Sequence, residues 1–372
     1  EGGFGWLGEW VAANMEPGIL SDLLVNGVLA GLGSVLVFLP QITILFAFIL
    51  LLEDSGYLPR AAFLLDNLMA KSGLSGRSFI PLLSSFACAV PAVMSARTIH
   101  DPRERLVTIA VAPLLTCSAR LPVYALIIAA VIPNRTVGGI FNLQGLTLFI
   151  LYLAGILSAA LAAYIMKRLA RMKGNVQQFP LLMELPTFRT PNFKHIMTSL
   201  WDRVKAFLKR AGTIIFALAV VLWGLVSWPQ PPAGATGAAI DYSLAGMLGH
   251  AIQPLFAPLG FTWEMCIAMI PGIAAREVVV AALGTVYAVS ASSEDAVQNA
   301  LIPIVHNNWG LPTAFAFLAW YVYAPMCAAT LTVIKREIKS TKNMVMITGY
   351  LFLMAYFAAF VVYQISSRIL SS

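Results

Sequence analysis

Apolar residues run in long stretches along this chain, and polar ones collect in short segments between them. A bilayer crossing needs about 20 consecutive apolar residues. Runs that suit this length cover 27–52, 105–132, 143–166, 211–228, 311–334 and 343–366. Two more, 79–96 and 264–289, are interrupted by proline and edged by charge, so each is expected to be a re-entrant helical hairpin. Residues 1–26 mix Trp and Phe with acids and read as an interfacial amphipathic segment. The expected fold class is all-α, a polytopic membrane protein.

Composition agrees. Of 372 residues, 59% are hydrophobic and 11% charged, against about 25% charged in soluble domains. The net charge of +7 has a telling distribution. No Lys or Arg occurs in residues 1–59, and only Arg276 between 211 and 334. Ten of the 24 bases fall in 167–210, with only Glu184 and Asp202 beside them, and four more in 335–342. Bases clustered between apolar runs follow the positive-inside pattern, which excludes a nucleic-acid face. The 167–210 linker is therefore placed in the cytoplasm. The four cysteines all lie in apolar segments, away from any disulfide framework. The chain opens on Glu1 and not on Met, which leaves open whether its numbering begins inside a longer protein.

Counting crossings outward from 167–210 exposes a repeat. Span 27–52, hairpin 79–96 and span 105–132 make a first unit, covering 27–132; a connecting span follows at 133–166. Span 211–228, hairpin 264–289 and span 311–334 make a second unit, covering 211–334, with opposite orientation. A last span lies within 335–372. "CAVPAVMSAR" (88–97) parallels "AMIPGIAAR" (268–276), pairing Pro91 with Pro271 and Arg97 with Arg276. "APLLTCSA" (112–119) parallels "APMCAATL" (324–331), pairing Pro113 with Pro325. Inverted repeats with proline-broken segments point to a transporter whose site lies at the repeat interface.

Proline deprives the carbonyl four residues back of its donor. Such a carbonyl persists at membrane depth only where protein, water or an ion satisfies it. A cysteine lies near three of the four breaks: Cys88 before Pro91, Cys117 after Pro113, and Cys327 after Pro325. Sulfur with carbonyl oxygen suits a borderline divalent metal such as Fe(II), Zn(II) or Mn(II). Packing is the bland alternative, since buried free cysteine behaves as a small hydrophobe, and Cys266 is read that way. Glu277 is a metal ligand, a proton-coupled carboxylate or the ion-pair partner of Arg276 or Arg97, and Arg120 is expected to be structural. Glu53 and Asp54 suit a cytoplasmic exit or a merely solvated helix end. His100, His195, His250 and His306 are scattered. No nucleotide-binding P-loop occurs, and no hydrolytic triad or zincin motif.

Several long stretches resemble a known family. They are "VLVFLPQITILFAFILLLEDSGYLPRAAFLLDNLM" (35–69), "SFIPLLSSFACAVPAVMSARTI" (78–99), "LVTIAVAPLLTCSARLPVYAL" (106–126), "FPLLMELPTFRTPN" (179–192), "FLKRAGTIIFA" (207–217) and "AREVVVAALGTVY" (275–287). In this order they resemble the membrane region of bacterial ferrous iron transport protein B, FeoB. The resemblance implies Fe(II) uptake across the inner membrane through two Gate segments, with Cys88, Cys117 and Cys327 as ligands and Glu277 as the second Gate's carboxylate. The family's GxxCxxP-type motif falls on Ser85–Pro91, with Ser85 where the family has Gly. The resemblance also implies coupling to a cytoplasmic GTPase domain, upstream in the same chain or separate, because no nucleotide site lies in this sequence. Small accessory Feo proteins and a homo-oligomer are further partners it suggests, besides the lipid bilayer and Fe(II). The chain itself is expected to be a transporter and not an enzyme. Two other readings stay open: a nucleoside or organic-solute carrier, and a non-transporting scaffold for a separate GTPase.

Overall fold

A computed structural model describes residues 10–11, 13–15, 18–71, 74–137, 141–172, 190–229, 242–287 and 294–371. Much of the interfacial segment expected at 1–26, and most of the linker motif at 179–192, lie outside these residues.

Among the described residues the architecture is helical. A helical turn at Ile19–Asp22 and a π-helical stretch at Leu23–Leu29 lead into α1 (Ala30–Asp54), and α2 (Tyr57–Lys71) follows. The first proline-interrupted run becomes α3 (Phe79–Ser85) and α4 (Ala89–Ser95). The next run is split into α5 (Pro102–Val111) and α6 (Leu121–Val131). A small antiparallel pair, β1 (Thr136–Val137) and β2 (Phe141–Asn142), precedes α7 (Leu143–Met172). Then come α8 (Phe193–Phe207), a π-helical turn at Leu208–Gly212, α9 (Thr213–Ser227) and α10 (Leu244–Phe256). The second interrupted run is α11 (Trp263–Ala274) and α12 (Val278–Val286). The chain ends with α13 (Glu294–Asn308), α14 (Leu311–Tyr323), α15 (Ala328–Ile338) and α16 (Thr341–Ser371).

Four stretches among the described residues are long and apolar enough to cross a membrane: Pro102–Val131, Leu143–Leu169, Leu311–Ile338 and Thr341–Ile369. The pair Leu244–Leu259 and Trp263–Ala274 passes the same test but bends by 107°. Gly260, at φ 73°, occupies that corner in the left-handed region that side chains disfavour. The multi-pass membrane reading therefore holds.

Helix starts follow local chemistry. Asp101 caps α5 by accepting from the Arg103 amide at 3.0 Å, with Pro102 in the first turn, where a missing N–H is tolerated. Asn192 caps α8 through the amides of Lys194 and His195, and Ser243 caps α10 through Gly246.

The chain divides into two compact units. One comprises Glu1–Leu50, Asn192–Gln298 and Met326–Ala329. In it, Phe46 and Leu50 of α1 pack against Ile196, Leu200 and Val204 of α8. Helices α10 and α11 approach so closely that a Cβ on Gly249 would lie 2.3 Å from Ile267 Cγ1. The other unit comprises Leu51–Pro191, Asn299–Pro325 and Thr330–Ser372. Its core joins α14 to α16, where Trp320 meets Phe352 at 6.0 Å between ring centres. Tyr350 of α16 donates to the Ala110 carbonyl of α5. Arg97, beyond α4, grips Glu337 of α15 with two hydrogen bonds, Nε to Oε2 being 2.6 Å. That bond holds the guanidinium proton more tightly than usual.

Candidate functional site

Cys88 is a single extended residue, at φ −154° and ψ 133°, between α3 and α4. Its N–H still closes α3 by donating to the Ser84 carbonyl at 3.0 Å. Pro91 sits in the first turn of α4, where its missing donor costs little. The carbonyl expected to lose its helical partner, that of Ala87, is taken from outside the helix pair. It accepts from Ser118 Oγ at 2.9 Å and from the Ser118 amide at 3.4 Å. Ala87 precedes Cys88 and Ser118 follows Cys117, so these bonds draw two cysteine-bearing breaks together.

The second of those breaks is longer. A 3-10 turn at Ala112–Leu114 gives way to extended backbone at Leu115 and Cys117, then a 3-10 turn at Ser118–Arg120 starts α6. Its bare carbonyls are met by Arg120, which is fully buried. Nη2 donates to the Pro113 carbonyl at 2.8 Å; Nη1 donates to Leu115 at 3.1 Å and to Leu114 at 3.4 Å. A planar guanidinium presents several donors at once, so one side chain can close a gap that three lost helical bonds left open.

Helix α7 backs this break. A Cβ on Gly155 would stand 3.1 Å from the Leu114 carbonyl and 3.3 Å from Thr116 Oγ1. The Thr116 hydroxyl is buried and makes no hydrogen bond among the described residues. Gly155→Ala is expected to destabilise the protein by about 1–3 kcal/mol, because the atom it presses on is backbone held by Arg120. Thermal unfolding in detergent reads the effect; an unchanged midpoint would mean that the break can shift away freely.

The other unit repeats the device with different residues. The extended break residue there is Ala275, at φ −149° and ψ 134°, nearly the angles of Cys88. Pro271 lies inside α11, which continues to Ala274. The extended break residue of this run is thus Ala275, seven residues beyond the Ala268 that the proline alignment sets against Cys88. Arg276, 5% exposed, sends Nε to the Met326 carbonyl at 3.1 Å. Met326 follows Pro325 in the four-residue gap between α14 and α15, and Cys327 directly precedes α15. Glu277 is half-buried. The Arg276 bond links the segment that holds Glu277 to the segment that holds Cys327.

The remaining candidates resolve locally. Ser85 ends α3, fully buried, and its hydroxyl donates to the Pro81 carbonyl at 3.2 Å. The group that replaces the family's Gly is therefore accommodated by its own helix. Glu53 and Asp54 lie in the last turn of α1, one exposed and one half-buried. Cys266 is buried in α11. A cavity of about 670 Å³ lies at the far end of α6 from Cys117, where His306 Nδ1 meets the Ala130 carbonyl at 2.7 Å. Among the described residues, no three His, Cys, Asp or Glu side chains gather closely enough to hold a metal together. Sequence reasoning missed Ser118 and Thr116; the clue available was their position on either side of Cys117 in the broken stretch.

The Gate family profile, described as nucleoside recognition, matches residues 35–131 and 208–341. A second profile, for the C terminus of ferrous iron transport protein B, matches residues 148–203. A Leptospira interrogans protein named Fe(2+) transporter FeoB is 41% identical over 373 residues, covering 96% of this chain and 53% of the relative. A Staphylococcus aureus protein of that name is 39% identical, covering 93% and 49%. A Porphyromonas gingivalis protein, named as a fusion of Fe(2+) transport protein A and FeoB, is 35% identical, covering 98% and 47%. The chain thus spans about half the length of the curated relatives it matches. No solved structure matches it. With 93–98% of its length aligned to these relatives and the two profiles matching along it, the chain belongs to the Gate family, within the membrane region of ferrous iron transport protein B.

Proposed function

We propose that this chain carries Fe(II) inward across the bacterial cytoplasmic membrane, using paired ligands at its helix breaks. The supporting observation is the hydrogen-bonded meeting of two breaks in one unit, which makes neighbours of the chain positions holding Cys88 and Cys117. Thiolate sulfur favours Fe(II) over Mg(II) and Ca(II), which prefer oxygen. Glu277 and Cys327 form a second pair, in the other unit. Pairs complete their coordination with backbone oxygen or water, and such incomplete sites release an ion as readily as they take it, as conduction requires. The Gate prolines Pro91, Pro113, Pro271 and Pro325 shape re-entrant turns around these pairs, in two inverted repeats. Glu53 and Asp54 lie on the cytoplasmic exit. A GTPase domain, whether in the same polypeptide or another, gates the passage, with accessory Feo proteins and self-association as further levels of control. The names of the relatives support the ion, and the one named as a fusion with Fe(2+) transport protein A supports an accessory Feo partner.

The test is a time course of Fe(II) entry into proteoliposomes under reductant, with Zn(II) and Mn(II) as competitors. Entry that saturates with Fe(II) and is slowed by Zn(II) is expected. No entry, with tight capture of a GTPase, would replace transport by a scaffolding role, and competition by a nucleoside would make the chain a solute carrier.

A further inference from the structure

Helix α8 carries two apolar rows. Ile196, Leu200 and Val204 are buried against Phe46 and Leu50 of α1. Phe193, Met197 and Trp201 form the second row, roughly 60° further round at 100° per residue, and are 74%, 47% and 67% exposed. The next sector round carries Lys194, Lys205 and, just past the helix, Lys209, all exposed. The order buried, apolar and basic is that of a helix lying at a membrane surface, with lysine stems snorkelling from lipid to water.

Two features of the same unit point to lipid as the occupant of the exposed row. Helix α1, on which α8 packs through Phe46 and Leu50, carries Ile44 and Phe48 on its other face, and these are 71% and 60% exposed. The helix that supports α8 thus itself exposes large apolar side chains, as a lipid-facing helix does. Helix α8 also runs through the π-turn into apolar α9, in segments of 15, 5 and 15 residues. That run is about 52 Å long, against about 30 Å of hydrocarbon, so α8 is the surplus at headgroup level. The π-turn at Leu208–Gly212 supplies a place to bend. The linker's excess of bases complements an anionic cytoplasmic leaflet.

We infer that α8 is a membrane-surface helix: Phe193, Met197 and Trp201 enter the acyl boundary, and Lys194, Lys205 and Lys209 meet anionic lipid phosphates. The full chain is reconstituted in vesicles of phosphatidylcholine and phosphatidylglycerol. Trp201 emission is isolated as the difference between wild type and Trp201→Phe, a change small enough to leave folding intact. Phosphatidylcholine brominated near the headgroup end of its chains should quench that component by more than half, while aqueous iodide barely touches it. Omitting phosphatidylglycerol, or combining Lys194→Gln, Lys205→Gln and Lys209→Gln, should weaken the bromolipid effect. Quenching by iodide alone would place the row in water. Protection from both quenchers would mean that a protein surface, either a cytoplasmic domain or a second copy, covers it. Either result overturns the inference.

Discussion

Chain carrying Cys88→Ser, reconstituted in proteoliposomes under reductant, is expected to pass Fe(II) at about a tenth of the wild-type rate or less, a loss of about 1.4 kcal/mol or more in ligand stabilisation. Serine keeps the size and the extended backbone, so the Ala87–Ser118 contact should survive. What changes is the donor: a neutral hydroxyl is a poor ligand for Fe(II), whereas a thiolate is a good one. Cys117→Ser should behave likewise, and the double variant should lose little more than either, because a pair fails when one member does. Cys266→Ala, in the middle of α11 and outside both pairs, is the control and should leave entry near normal. If Cys88→Ser transports at the wild-type rate while folding normally, Cys88 is a packing residue and the pairing has another purpose.

Arg120→Met is expected to cost at least about 3 kcal/mol of stability, since each stranded buried carbonyl loses about 1–3 kcal/mol and three are involved. Methionine fills much of the volume but donates nothing to Pro113, Leu114 or Leu115. The melting midpoint in detergent should fall by on the order of 10 °C. Arg120→Lys should recover only part of the loss, because one ammonium cannot span carbonyls arranged for a planar fork. A variant within about 1 kcal/mol of wild type would mean that water or another group satisfies the break. The two substitutions separate the roles: Cys88→Ser should change entry without changing melting, and Arg120→Met should change melting first.

Much of the fold could be read before any coordinates. Apolar runs at 143–166 and 343–366 reappear as α7 and α16, because a continuous helix satisfies its own backbone and needs nothing else. The interrupted runs were also recognisable as interrupted. Their exact points of failure were not. Pro91 and Pro271 look equivalent in the sequence, yet one lies in the first turn of α4 and the other near the end of α11. A proline limits its own φ and removes one donor, but a helix can absorb both at its first turn or by a kink, and neighbouring packing decides which.

Composition and motif order by themselves determined that this is a polytopic helical membrane protein, where its bases cluster, which cysteines lie beside breaks, and which family it resembles. These are properties of local hydrophobicity and of short contiguous patterns. Tertiary structure alone decided who satisfies the broken helices. Ser118 reaches back 31 residues to Ala87, and Arg276 reaches forward 50 residues to Met326. It also turned Arg97 to Glu337, 240 residues away, so that pairing with Glu277 is not what anchors it. An exposed carbonyl at membrane depth must find a donor, but chain separation says nothing about which donor the fold will bring to it.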